Sequence, residues 1–171
     1  MTVLDETIVE NGTRSIGTKL AGKYLTFKLN TEDYGIEILT VQEIIQMQQI
    51  TKVPKVADYI RGVINLRGKV IPVVELRKKF GQESCEDTEE TCIIVVQVET
   101  DDRPITMGII IDAVKEVLQI EANQIEETPS LGANIDTDFI TGMGKVGDEV
   151  KILLDIDKVL SVREIASVPG L

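Results

Sequence analysis

Residues 35–45, Gly-Ile-Glu-Ile-Leu-Thr-Val-Gln-Glu-Ile-Ile, return at 108–118 as Gly-Ile-Ile-Ile-Asp-Ala-Val-Lys-Glu-Val-Leu. Adding 73 carries Gly35, Ile36, Ile38, Val41, Glu43, Ile44 and Ile45 onto Gly108, Ile109, Ile111, Val114, Glu116, Val117 and Leu118, with matching chemistry at each step. Upstream, adding 69 takes Leu25, Phe27 and Leu29 to Ile94, Val96 and Val98. Downstream, adding 80 takes Ile60 and Gly62 to Ile140 and Gly142, and Val70, Val73, Val74, Glu75 and Leu76 to Val150, Leu153, Leu154, Asp155 and Ile156. A fixed order of matching segments whose offset grows only in the loops is the trace of an internal duplication.

Each copy reads as short strands. Leu25, Phe27 and Leu29 alternate with Thr26 and Lys28, the period of a half-buried strand. Asn30 to Asp33 is expected to turn, Gly35 to Leu39 to form the next strand, and Val41, Ile44 and Ile45 to share one face of a short helical turn with Glu43 on its polar side. Many short strands bounded by Gly, Pro, Asn and Asp suit closed or nearly closed β-barrels, which leave few exposed edges. Two similar small all-β barrels with short helices are therefore expected, with the first repeat at about 22–82 and the second at about 92–160. A strand can cross between them. Residues 1–21 read as a mobile arm, 163–171 as a tail, and the acidic stretch from Gly81 to Thr91 as a solvated link.

Bulk composition narrows the function. At 171 residues the chain can bury a real core, and with 43% apolar but only 4% aromatic residues that core must be aliphatic. A net charge of −11 argues against nucleic acid and anionic membrane surfaces, which need clustered cations. No apolar run is long enough to span a bilayer, and the first residues lack the order of a signal peptide, so a soluble cytoplasmic protein is expected. Cys92 opens an apolar run and reads as a buried strand thiol, whereas Cys85 falls in the acidic loop.

Several strings imitate catalytic motifs and fail on context. Gly142-Met-Gly-Lys-Val-Gly147 has the lettering of a dinucleotide fingerprint, but it leads into a strand and reads as a hairpin turn. Gly62 to Lys69 has the wrong spacing for a phosphate loop, and Val70 stands where the metal-binding hydroxyl would be. Asn134, Asp136 and Asp138 have calcium-loop spacing, yet Phe139 replaces the turn glycine and Lys145 the bidentate glutamate. With no histidine in the chain, the commonest general base and most zinc sites are gone. Neither a catalytic residue, a metal site nor a cofactor is expected; a small-molecule-binding or enzymatic barrel is the rival reading.

The segment that stands out is Tyr59-Ile-Arg-Gly-Val-Ile-Asn-Leu-Arg-Gly-Lys-Val-Ile-Pro-Val-Val-Glu-Leu-Arg77, two apolar strands interrupted at Asn65-Leu-Arg-Gly68. Gly68 can take positive φ, Asn65 can bond its own backbone, and Arg67 would stand on a rigid tip suited to capturing a carboxylate, with Glu43 the internal candidate. Together with Tyr34-Gly-Ile-Glu-Ile-Leu-Thr-Val-Gln-Glu-Ile-Ile45 and Ile50-Thr-Lys-Val-Pro54, Gly62 to Arg77 resembles the CheW-type chemotaxis coupling proteins. Gly108 to Leu118 and Ile152 to Lys158 follow in the same order, and the resemblance covers about residues 22–162.

What the resemblance implies is a pair of SH3-like five-stranded barrels without enzymatic activity, recruited in the cytoplasm to arrays of membrane chemoreceptors. A groove near the barrel junction would receive the helical-hairpin tip of a receptor, and other surfaces would bind the regulatory domain of the histidine kinase CheA. The length of the chain suits a stand-alone coupler better than part of a larger kinase or a receiver-fused protein. Carried over by motif position, Val41, Glu43, Ile44, Arg61, Gly62 and Arg67 are expected at the receptor, with Glu43 orienting Arg67 and with Asn65 and Gly68 shaping the turn. Kinase contacts are expected on the second half, at Gly108, Phe139, Gly142 and Gly144.

Overall fold

The structure is a computed structural model that describes residues 20–83, 86–129 and 138–160. The expected arm up to residue 19, the tail 163–171, Cys85, Asn134 and Asp136 lie outside the described residues.

Among the described residues eleven strands follow one another as β1 (Gly22–Leu29), β2 (Glu32–Glu37), β3 (Val41–Gln46), β4 (Ile60–Leu66), β5 (Lys69–Glu75), β6 (Cys92–Val98), β7 (Ile105–Ile111), β8 (Ala113–Ile120), β9 (Ile125–Glu126), β10 (Ile140–Val146) and β11 (Glu149–Leu154). Two single-turn helices, α1 (Leu76–Lys79) and α2 (Ile156–Val159), follow β5 and β11 at duplicated positions. One sheet runs β8-β1-β2-β11-β10-β9 and the other β3-β6-β7-β5-β4. The two copies thus exchange strands. β1 of the first copy pairs with β8 of the second and β2 with β11, while β3 pairs with β6 and β5 with β7.

The pairing repeats in detail. β5 runs parallel to β7 with Val73 opposite Gly108, and β11 runs parallel to β2 with Leu153 opposite Gly35. The register slips between Ile60 and Gly62 in one hairpin and between Ile140 and Gly142 in the other. Even the isolated bridge from Thr51 to Val63 has its counterpart in β9, where Glu126 pairs with Met143.

A sheet face of alternating Leu25, Phe27 and Leu29 meets a face of Ile94, Val96 and Val98, and together with Ile36, Met107, Ile109, Leu154 and Ile156 these form the core between the two sheets. The same strands are buried on their other faces too. Ile93 and Val95 turn the opposite way into a cluster with Ile64, Ile71, Val73 and Ile110, to which Ile45 adds a contact. Every strand of the five-stranded sheet supplies a residue to that cluster, so the sheet curls around it. Tyr24, Ile120, Ile125 and Leu153 do the same inside the six-stranded sheet. The expectation of half-buried strands is corrected here: Tyr24 and Thr26 of β1 are as buried as Leu25 and Phe27.

The expected helical turn at Val41 to Ile45 is strand β3, preceded by a 3-10 turn at Ile38–Thr40. The register slips between Val41 and Glu43, so Gln42 bulges and Val41 and Ile44 come to the same face. That bulge gives an apolar spacing of three, which imitates a helix period. β11 stops at Leu154, and Asp155 caps α2 by accepting from the amides of Asp157 and Lys158.

The interiors of the two curled sheets differ. Where the five-stranded sheet has Ile71, its duplicate carries Lys151, only 1% exposed, whose ammonium donates to Asp33 and Glu149 at 2.7 Å each. Lys115 donates to the same Asp33 oxygen at 3.1 Å and Lys28 lies 3.5 Å from the other. Burial alone would raise the pKa of Asp33; the hydrogen bonds from Lys151 and Lys115, and their charge, overcome it and hold the carboxyl at about 2.

Because that value lies below the ordinary 3.8, Asp33 contributes stability above pH ~4 that is lost as pH falls toward ~2, about 2–3 kcal/mol in all. Chemical denaturation at a series of pH values should show this loss in the wild type and not in Asp33→Asn. At pH 7 that variant, which leaves buried Lys151 with only the exposed Glu149 as an anionic partner, should be less stable by roughly 3 kcal/mol.

Candidate functional site

The β4–β5 hairpin closes through a two-residue loop, Arg67-Gly68, flanked by the pair Leu66 and Lys69. Both loop residues have positive φ, 51° for Arg67 and 88° for Gly68, the type I′ pattern whose twist matches the flanking strands. The turn is thus centred one residue later than the sequence suggests, and Asn65 is the penultimate residue of β4. Its side chain still acts in the turn, accepting from the Gly68 amide at 2.8 Å.

A left-handed conformation at a non-glycine residue costs about 1 kcal/mol. The duplicated hairpin puts Gly147, with φ 63°, at the position of Arg67. Arginine is therefore retained at a place where glycine would be easier. What it gains is Glu43: both guanidinium Nη atoms donate to the two carboxylate oxygens, Nη1 to Oε1 at 3.2 Å and Nη2 to Oε2. The hydrogen bond from Arg67 holds the Glu43 carboxyl below its usual range, and the same bond raises Arg67. β3 and β4 lie at opposite ends of their sheet, so the pair also joins the two ends where the sheet curls round. Arg67 remains 69% exposed, and Ile44 beside Glu43 is 45% exposed.

Val70, just past the tip, is also exposed, and lies in a cavity of about 210 Å³ with Lys69, Arg103, Pro104 and Ile105. Its duplicate Val150 is exposed as well.

The structure separates the remaining expected residues from this tip. Arg61 stands at the far end of β4, roughly 20 Å from Arg67 along the strand, and bonds Glu75 at 3.4 Å and Asp87 at 2.9 Å. The acidic link is thus not merely solvated: Asp87 reaches back to Arg61, and Thr88 and Thr91 close a turn beside it. Val41 packs half-buried against the central core. Gly62, with φ 151°, leaves room for the crossing chain, since a Cβ there would lie 2.2 Å from the Thr51 carbonyl oxygen.

Of the residues expected at a kinase, Gly108, Gly142 and Gly144 are buried within strands, where a Cβ would press on Ile93, Glu126 and Ile120 respectively. They allow the strands and their neighbours to pack closely. Phe139 is half-buried and stacks on Phe80 at 4.9 Å, at the end of a run of rings that continues through Tyr34 to Phe27.

Residues 23–164 match the family model for the CheW-like domain. The chain is 40% identical to the chemotaxis protein CheW of Klebsiella aerogenes over 156 residues, covering 88% of this chain and 92% of that one. It is 36% identical to the CheW of Bacillus subtilis, covering 83% and 88%. Among solved structures it is similar to the scaffolding protein TtCheW of Thermoanaerobacter tengcongensis, at 36% identity and a TM-score of 0.73, with 85% of this chain and 91% of that chain covered.

Replacing Arg67 by glycine relieves the left-handed strain but loosens the unfolded chain, so urea denaturation should find Arg67→Gly within about 1 kcal/mol of wild type. Gly62→Ala should lose several times more, because neither the φ nor the Thr51 oxygen can accommodate the methyl group.

Proposed function

Because this chain belongs to the CheW-like domain family and is a chemotaxis scaffold, we propose that it joins the cytoplasmic tip of a chemoreceptor to the regulatory domain of the histidine kinase CheA. The observation that carries this reading is Arg67, held in a strained conformation on a rigid tip, aimed by Glu43 and still largely exposed. Strain kept in place by surrounding structure marks positions with work to do beyond folding.

In this reading each curled sheet is an SH3-like five-stranded barrel. Glu43, Ile44 and Arg67 touch the receptor, with Val41 beneath them and Gly62 allowing the Thr51 crossing that shapes the same hairpin. Arg61 extends the contact at the other end of β4. A surface that offers spaced aliphatic side chains and a fixed cation suits one face of a helix. The kinase lies against the second half of the sequence, where Phe139 and its neighbours are accessible. The protein acts without chemistry of its own, from the cytoplasm, where it is recruited to receptor arrays. It transmits a signal because its affinity or geometry differs between two states of the assembly.

Titration calorimetry of the full chain against a receptor cytoplasmic fragment, and separately against the kinase regulatory domain, should give saturable binding in both cases. Arg67→Gly should weaken the receptor contact about tenfold or more, a loss of at least ~1.4 kcal/mol, and leave the kinase contact unchanged. Failure of the folded wild-type protein to bind either partner would remove the bridging role.

A further inference from the structure

The duplicated halves can be compared at the point where each hairpin meets its short helix. In one half two arginines occupy this junction. Arg61, at the register slip of β4, bonds Glu75, and Arg77 of α1 pairs with Asp112 at 2.5 Å. The offsets of 80 and 73 that relate the halves send Arg61 to Thr141, Glu75 to Asp155, Arg77 to Asp157 and Asp112 to Leu39. Thr141 lies at the same register slip of β10, and Asp155 caps α2 where Glu75 precedes α1. Both cations are missing from this second junction, while the carboxylate at the position of Glu75 persists and another replaces Arg77.

The space is left open. A cavity of about 260 Å³ is lined by Tyr24, Glu37, Thr40, Thr141, Asp155 and Asp157 over an apolar floor, with no cationic side chain among the described residues that line it. Among the described residues none of its three carboxylates forms an ion pair. Asp155 and Asp157 each accept from backbone amides, Asp157 from Glu99 at 2.9 Å, but a carboxylate has acceptor capacity to spare. An adjoining cavity of about 270 Å³ shares Tyr24 and Glu37 and is bordered by Leu39. At 92% exposure Leu39 is the most exposed large apolar residue among those described, where its duplicate Asp112 is tied to Arg77.

We infer that this cavity is a docking site for an arginine side chain of a protein partner, carried beside an aliphatic residue that covers Leu39. The duplicate supplies the template, since its carboxylate at the same position already holds a guanidinium. Charge complementarity supplies the selectivity: three carboxylate residues line a partly enclosed space, where a planar fork of donors is bound more firmly than in open water. The net charge of −11 adds a long-range pull on a cationic segment.

The test uses the full-length protein labelled with ¹⁵N and titrated with N-acetyl-arginine amide, with the citrulline amide as the uncharged analogue of the same shape. Arginine should shift the amide resonances of Thr40, Thr141 and Asp157 saturably, and citrulline should bind about tenfold more weakly or worse. The variant Thr141→Arg restores the duplicate's own arginine and should abolish the response. Glu37→Gln combined with Asp157→Asn, which keeps an acceptor for the Glu99 amide, should weaken it about tenfold. Equal responses to arginine and citrulline, or none at these residues, would overturn the inference.

The docking role is read separately with the receptor fragment and the kinase regulatory domain, using partners that the wild-type protein binds. Thr141→Arg should cost one of them about tenfold in affinity. Wild-type affinity for both would overturn the docking role while leaving the bridging function standing.

Discussion

Strands β1 and β6 present apolar side chains on both faces, so water must be kept from two sides of each at once, and neither sheet can do that for itself. Phe27 and Leu29 need the opposing Ile94 and Val96, while Tyr24 and Ile93 need the interiors of their own curled sheets. The answer is a three-part core, one cluster inside each curl and one between them. Everything at the surface hangs on that arrangement. The Arg67 tip is rigid because β4 and β5 are anchored by Ile64, Ile71 and Val73 in one of these clusters, and Glu43 meets it because the curl brings β3 round.

The duplication supplied two copies of one design, and their differences are where individual character was added. The five-stranded sheet fills its interior with Ile71, whereas its counterpart buries Lys151 with Asp33. Replacing such a pair by aliphatic groups is often harmless or stabilising in proteins, so its persistence is not explained by stability alone. The hairpin tips diverge as well, Arg67-Gly68 in one and Gly147-Asp148 in the other.

Much of this was legible in the chain. The offsets of 69, 73 and 80 exposed the duplication, and alternation at Leu25 to Leu29 marked the faces of the central core. The turn chemistry of Asn65 and Gly68, and the pairing of Arg67 with Glu43, followed from residue types. What escaped has physical causes. The bulge at Gln42 broke the strand period and made β3 look helical. The bond between Lys151 and Asp33 spans 118 positions and leaves no local pattern. Thr51 pairs through a single bridge, too short to carry a periodicity. The close approach of strands at Gly108, Gly142 and Gly144, as at Gly35, depends on neighbours far along the chain and leaves no local pattern either.

The exchange of strands between the copies has a consequence for how the molecule comes into being. β1 has to wait for β8: the hydroxyl of Thr26 bonds the carbonyl of Glu116, 90 positions later. During synthesis the first half of the chain therefore leaves the ribosome with one sheet lacking β6 and β7 and the other lacking β8, β9, β10 and β11. Chains rich in such distant pairings fold slowly, and an unfinished one exposes open edges in the meantime. Only the five-stranded sheet can close early, because its strands β3 to β7 are consecutive, whereas β1 and β2 hold the six-stranded sheet open until β8 to β11 have emerged.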